Sequence, residues 1–386
     1  MGFLLVLTCA LILYGTLYPF DFGMQNGSVL TLLKMSVGSH VGLGDFIGNV
    51  ILFLPFGFLA MQSVLTRAPR PIRLIFIVVA GAVFSSGIES SQSYLPGHVV
   101  SIYDIATNTT GTLLGAMFVW KDWRKPLRFR ADNYPSAVFP ILLFCAWLGN
   151  RLFPFVPTID VQNVKDALKP LFFGGFSPLN ALNRFVITMV VCQLAEAITP
   201  PGRVRTALTC LPLGVIAIKP FISGGLISSA EIVGTLLGIT LWWCIVSRIR
   251  RSAGILALLL ASQIVLQGLT PFAFSSNHGH FSFIPFVGFL EGSMLINALY
   301  FVEKTFLYGS LVWLTVKAGR SLRFSLIVSA VLLTGIELAQ MFMPAAHVSE
   351  ITDPLLAVIL GLFLYFFDLR GINHPKNRIH ERFGNM

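Results

Sequence analysis

Apolar runs of about 18 residues or more recur from one end of this chain to the other, separated by short basic or polar breaks. A helix of that length crosses a bilayer. About twelve such runs can be read, centred near Leu11, Gly57, Val79, Leu114, Leu143, Met189, Leu211, Leu237, Leu259, Leu307, Val331 and Ile359. Pro55 and Pro212 interrupt two of them. In hydrocarbon each backbone polar group must be bonded within its own segment, so the expected fold is all-α, a polytopic transmembrane helical bundle. Only 11% of the 386 residues are charged, against about 25% in a soluble domain.

The net charge of +10 would suggest nucleic acid in a soluble protein, but its placement argues otherwise. Basic residues gather in alternate breaks: Arg67, Arg70 and Arg73; Lys121, Arg124, Lys125, Arg128 and Arg130; Arg203 and Arg205; Arg248, Arg250 and Arg251; Lys317, Arg320 and Arg323. The tail adds Arg370, Lys376, Arg378 and Arg382. That alternation is the positive-inside pattern, so both termini are expected in the cytoplasm of a cell (inner) membrane protein, with membrane lipids as partners and no nucleic acid. The N-terminal run lacks a preceding basic residue and a convincing cleavage site, and reads as a retained span. Cys9, Cys145, Cys192, Cys210 and Cys244 all lie in apolar runs without metal-ligand spacing, so neither disulfide framework, metal nor cofactor is expected. Trp120, Trp123, Trp242 and Trp243 read as interface anchors.

A longer period underlies the alternation. Leu17-Tyr18-Pro19-Phe20, Leu152-Phe153-Pro154-Phe155 and Leu269-Thr270-Pro271-Phe272 end the first, fifth and ninth runs, and Asn49, Asn180 and Asn297 open the runs that follow. Gly111-Thr112-Leu113-Leu114-Gly115 returns as Gly234-Thr235-Leu236-Leu237-Gly238, while the twelfth run keeps only Gly361. The expectation is three parallel four-helix repeats, at 1–130, 131–252 and 253–386, the last carrying the basic tail.

A polar pattern appears twice on this frame, roughly 250 residues apart: Glu89, Gln92, Pro96, His98, Asp104, then Glu337, Gln340, Pro344, His347, Asp353. Carboxylates and amides are costly in hydrocarbon, so matched sets there need a reason. The expected topology brings these groups, with Asp45, Asn49 and Asn108, to the outer face. The middle repeat supplies Arg151, Arg184, Lys219 and Glu231 at similar depth, and the third adds Asn297, Glu303 and Lys304. If the repeats surround one axis, the cations of the middle repeat face carboxylates of the outer two. The same groups also have a purely structural reading, as backbone partners in a helical hairpin and interhelical glue.

Asp45-x-x-x-Asn49-Val-Ile-Leu-Phe53-Leu-Pro55-Phe-Gly57, then Ile88-Glu89-x-x-Gln92, Leu95-Pro96-Gly97-His98, Ile102-Tyr103-Asp104 and Asn108-Thr-Thr-Gly111 together resemble the VanZ-like family. The resemblance covers the first third; the last third fits as a decayed copy, with Glu303, Thr305 and Ala357 in place of Pro, Gly and Asn, and the middle third lacks the Glu and Gln. His98 and His347 stand where the family usually has Arg. It implies an envelope protein associated with resistance to the glycopeptide teicoplanin, and carries over no catalytic residues.

Three functions remain open. The leading expectation is a non-enzymatic protein that binds or shields a lipid or lipid-linked component at the outer leaflet, with Arg184 and Lys219 receiving an anionic lipid-linked precursor. The second is a transporter or flippase of a small solute or lipid. The third, a membrane enzyme, has Glu, His and Asp for acid–base work but no nucleotide loop or nucleophile elbow.

Overall fold

A helix covers each of the twelve apolar centres in the computed structural model, which describes residues 2–23, 43–96, 100–120, 137–275, 281–290, 294–343 and 349–369. Among the described residues six helices are long and apolar enough to cross a membrane: Arg70–Gln92, Pro178–Ile198, Arg203–Phe221, Ser229–Arg248, Ser252–Leu269 and Leu322–Gln340. The described residues form an all-α fold apart from one two-residue strand pairing, in a membrane-type chain. It divides into two compact units, Met1–Asp132 and Asn133–Met386.

The first unit holds α1 (Gly2–Leu17), α2 (Leu43–Ser63), α3 (Arg70–Gln92) and α4 (Ile102–Trp120). Its closest pairing is α2 on α4, and glycine makes it possible. A Cβ on Gly57 would lie 2.0 Å from the Thr112 carbonyl oxygen, on Gly111 2.3 Å from that of Val50, and on Gly115 2.0 Å from that of Leu54. The helices thus touch backbone to backbone, as small residues permit in lipid, where apolar burial supplies little drive for association. Phe53, Phe56 and Ile88 fill the space beneath α1 around Ile12.

The second unit begins with α5 (Val138–Leu152) and α6 (Val161–Phe173), followed by α7 (Pro178–Ile198), α8 (Arg203–Ile218), α9 (Ser229–Cys244) and α10 (Ser252–Leu269). After the short α11 (Val287–Leu290) come α12 (Met294–Lys317), α13 (Leu322–Gln340) and α14 (Thr352–Leu364). Ser177, Ser228 and Ser321 cap α7, α9 and α13 by accepting from the amides of Asn180, Glu231 and Phe324, and Pro178 opens α7 where no N–H is needed. α7 is the hub: apolar around most of its circumference, it is 67% buried, against 22% for α3. One continuous core runs from Phe139 to Leu364, so segments 131–252 and 253–386 share a single interior. Trp242 belongs to that interior at 1% exposure rather than to an interface, whereas Trp243 is 40% exposed. Trp123 and the Trp120 side chain lie outside the described residues.

The Leu-x-Pro-Phe segments close in one geometry. Phe20, Phe155 and Phe272 donate their amides to Leu17, Leu152 and Leu269 at 2.8, 2.9 and 2.6 Å. All three Phe residues have positive φ, 63°, 59° and 61°, uncommon for a residue other than glycine.

α6 falls between two of the apolar centres and is amphipathic rather than uniformly apolar. Asp160 caps its start by accepting from the Gln162 amide at 2.9 Å. Lys169 and Gln162 hydrogen-bond Asp166 and hold its carboxyl below the usual range. Ile159, Phe172 and Phe173 are 94%, 73% and 89% exposed. An amphipathic helix beside apolar spans belongs at the headgroup boundary. Tryptophan placed at Phe173 should therefore be quenched by shallow-brominated lipids and by little else; quenching by aqueous iodide alone would place α6 in water.

Candidate functional site

The polar residues of the first unit hold helices to one another. Asn49 Nδ2 on α2 donates to Asp104 Oδ1 on α4 at 2.9 Å, and Asn108 Nδ2 to Ser85 Oγ on α3 at 2.9 Å. Glu89 Oε2 accepts from the Ser101 amide at 2.9 Å, and Gln92 Nε2 reaches the Thr16 carbonyl at the end of α1, also at 2.9 Å. Together these bonds engage all four helices or the turns that end them. Asp45 lies on α2, but its side chain, like His98, His347 and Pro344, falls outside the described residues.

Two of those bonds recur in the second unit. Glu337 Oε2 accepts from the Glu350 amide at 2.9 Å, and Gln340 Nε2 donates to the Gly268 carbonyl at 2.8 Å. Asp353 breaks the parallel. Its Oδ1 is bound by Lys304 Nζ at 2.6 Å and its Oδ2 by the Tyr308 hydroxyl, both on α12.

The middle cations are satisfied close by. Arg151 on α5 pairs with Glu231 on α9, and Lys219 reaches both Glu231 oxygens at 3.0 and 2.9 Å while donating to the Leu226 carbonyl at 2.8 Å. Beside this triad, Arg184, Thr188 and Thr235 line a cleft of only about 10 Å³. That is room for about one water, not for a phosphate-bearing headgroup. Arg151 and Arg184 also interact electrostatically with Glu303 on α12.

Glu303 opens onto the space that is large enough. A cavity of about 510 Å³ lies among α10, α12, α13 and α14, within the volume range of small-molecule sites. Ile264, Phe286, Tyr300, Phe301, Leu307, Ile336 and Leu356 supply its apolar wall; Glu303, Lys304, Glu337, Glu350 and Asp353 its charged lining; and Asn297, Gln267, Gln340 and Tyr308 further polar groups. A two-residue parallel pairing, β1 (Phe281–Ser282) with β2 (Ser349–Glu350), fixes Glu350 over Glu337. Gly288 then donates its amide to Glu350 Oε2 at 3.3 Å. The carboxyls of Glu337 and Asp353 lie close enough to repel one another.

Of the residues singled out from sequence, Asn297, Glu303, Lys304, Glu337, Gln340 and Asp353 meet in this cavity, and Arg151, Arg184, Lys219 and Glu231 form the neighbouring triad and cleft. Glu350 and Tyr308 are additions. Tyr308 had a signal, since it lies four residues after Lys304 and so on the same helix face. Glu350 had none beyond its position three residues before Asp353. Among the described residues no group of three or more His, Cys, Asp or Glu side chains is arranged to hold a metal ion.

No curated protein and no solved structure matches the chain. The bonding pattern of the first unit, built from Asn49, Glu89, Gln92, Asp104 and Asn108, lies in a segment similar to a known membrane family: residues 3–124 match the model of the VanZ/LLP1 family.

Proposed function

We propose that this VanZ-like chain is a multi-pass protein of the bacterial inner membrane that binds or shields a lipid or lipid-linked component at the outer leaflet. In this reading it has twelve spans in three parallel four-helix repeats, 1–130, 131–252 and 253–386, with both termini cytoplasmic. The thrice-repeated Leu-x-Pro-Phe turn, the twice-repeated Glu and Gln bonds and the alternate basic breaks support that arrangement.

The observation that carries the function is the cavity of about 510 Å³, with an apolar wall for acyl chain and a polar lining for a headgroup. Retention of such a molecule would alter susceptibility to lipid-bearing glycopeptide antibiotics.

Gln267 is exposed and lines the cavity, so Gln267→Trp narrows the space without disturbing the core. Lipid mass spectrometry of protein purified under mild conditions should find a lipid with the wild type that is depleted in Gln267→Trp at unchanged melting temperature. Growth inhibition by lipid-bearing glycopeptides in a susceptible host should change with the wild type and not with the variant. An identical lipid complement in both proteins would remove the reading.

A transporter is the alternative, favoured by the five acidic or basic side chains, Glu303, Lys304, Glu337, Glu350 and Asp353, gathered in one cavity between helices. Uptake or lipid scrambling in proteoliposomes, lost in Glu337→Gln, would place it first.

A further inference from the structure

The geometry points to an alkylammonium group as the ligand chemistry of this cavity, an inference that rests on reading the cavity as a binding site. The argument comes from comparing α12 and α14 with α2 and α4 along the shared pattern. Aligning Asn49 with Asn297 sets Pro55, Phe56, Gly57 and Ala60 against Glu303, Lys304, Thr305 and Tyr308. Aligning Asp104 with Asp353 sets Ser101, Gly111 and Gly115 against Glu350, Leu360 and Leu364.

Two consequences follow. First, the positions of Gly57, Gly111 and Gly115 carry Thr305, Leu360 and Leu364 on α12 and α14, and the glycine that α14 keeps, Gly361, faces Leu326 instead. Thr305, Leu360 and Leu364 cannot allow the same approach, because a Cβ already collides at Gly57, Gly111 and Gly115. Space between these helices is the expected result, and the cavity is lined by both of them. Second, the new side chains fill that space with charge. Glu303, Lys304, Tyr308 and Glu350 all line the cavity, while their counterparts Pro55, Phe56, Ala60 and Ser101 carry no ionisable group. The shared Glu, Gln and Asp are therefore frame, and the departures are the ligand-facing groups.

The sign of the charge selects the ligand. Four carboxyl groups face one ammonium, and Lys304 is already held by Asp353 at 2.6 Å. Arg151 and Arg184 offset part of the charge of Glu303. Glu350 is left as the departure whose carboxylate, positioned by the β1–β2 pairing and the Gly288 amide, has no cation bonded to it among the described residues and only longer-range attraction from Lys304. Tyr300 and Phe301 line the same cavity, and aromatic faces attract ammonium groups while the apolar wall takes an attached chain. A lipid headgroup and a free amine share this chemistry.

The test uses the full chain in nanodiscs of neutral lipid, with three probes of equal chain length: dodecyltrimethylammonium, dodecyl sulfate and dodecyl maltoside. Dodecyltrimethylammonium should bind saturably and at least about tenfold more tightly than the other two. Glu350→Gln keeps the amide held by Glu337 and an acceptor for Gly288, and should weaken that binding about tenfold at unchanged melting temperature; Glu303→Gln should weaken it less. Tetramethylammonium separates the sources: much weaker binding supports a lipid headgroup, and comparable binding supports a free amine. Equal affinity of the wild type for the three headgroups overturns the inference, and needs no variant to fold. So does full binding by folded Glu350→Gln. Selective ammonium binding without a co-purifying lipid removes the lipid reading alone, whereas a lipid lost in Gln267→Trp with binding indifferent to headgroup removes the ammonium alone.

Discussion

Glu231→Gln is expected to destabilise the second unit by about 3–5 kcal/mol, the usual cost of removing one partner from a buried ion pair. Arg151 and Lys219 converge on this single carboxylate, with side chains only 12% exposed, and Glu231 itself is 7% exposed. Glutamine keeps one acceptor oxygen but leaves both cations without their common counter-charge. The neighbouring cleft of about 10 Å³ cannot admit enough water to replace it. Thermal melting in detergent, read from tryptophan fluorescence, should show the loss, since Trp147 and Trp242 lie in the same core. Adding Arg151→Met to Glu231→Gln should restore part of it by removing one orphaned charge. A melting temperature unchanged in Glu231→Gln would mean that the triad contributes nothing.

The second large effect belongs to the first unit. Gly115→Ala should cost about 3 kcal/mol, near the upper end of ordinary overpacking, because the new Cβ would meet the Leu54 carbonyl oxygen at 2.0 Å. Backbone cannot swing aside as a side chain can, so α2 and α4 must separate and weaken the Asn49–Asp104 bond that spans them. Gly57→Leu should prevent assembly of the unit altogether. Gly87→Ala on α3 is the control: its Cβ would meet nothing within 4 Å, and alanine favours the helix by about 0.5–1 kcal/mol. Protease protection of the intact chain distinguishes the three. Equal protection of Gly115→Ala and Gly87→Ala would contradict close backbone packing as what holds this pair.

Much of the fold was legible in the sequence because bilayer constraints act along the chain. A run able to satisfy its own backbone bonds in hydrocarbon shows itself by length and composition. Hence Leu11, Leu143 and Ile359, like the other nine centres, fall in helices. α6 was illegible for the same reason: Val161–Phe173 mixes Lys165, Asp166 and Lys169 with apolar residues, and a search for long apolar runs passes over it. Trp242 read as an anchor because its position near a helix end is visible, while the neighbours that enclose it are not.

The candidate site divides along the same line. The twin Glu–Gln pattern marked residues that matter, and its repetition is visible in sequence. Two readings of it were open, ligand contact and backbone partner in a helical hairpin, and the second is the one these bonds follow: Glu89 and Glu337 both accept from a backbone amide ahead of the next helix. If the expected repeats surrounded one axis, the cations of the middle segment would face carboxylates of the outer two, whereas Arg151 and Lys219 are answered first by Glu231, within residues 131–252.

By itself, then, the sequence determined that this chain is helical, apolar enough for a membrane, and repetitive in its polar pattern, because each of those properties is set by residues near one another in the chain. Only the tertiary structure decided which charges pair and where a cavity opens. Both depend on how closely two helix faces approach, and that distance is set by side chains, such as the glycines between α2 and α4, that meet only when the chain is folded.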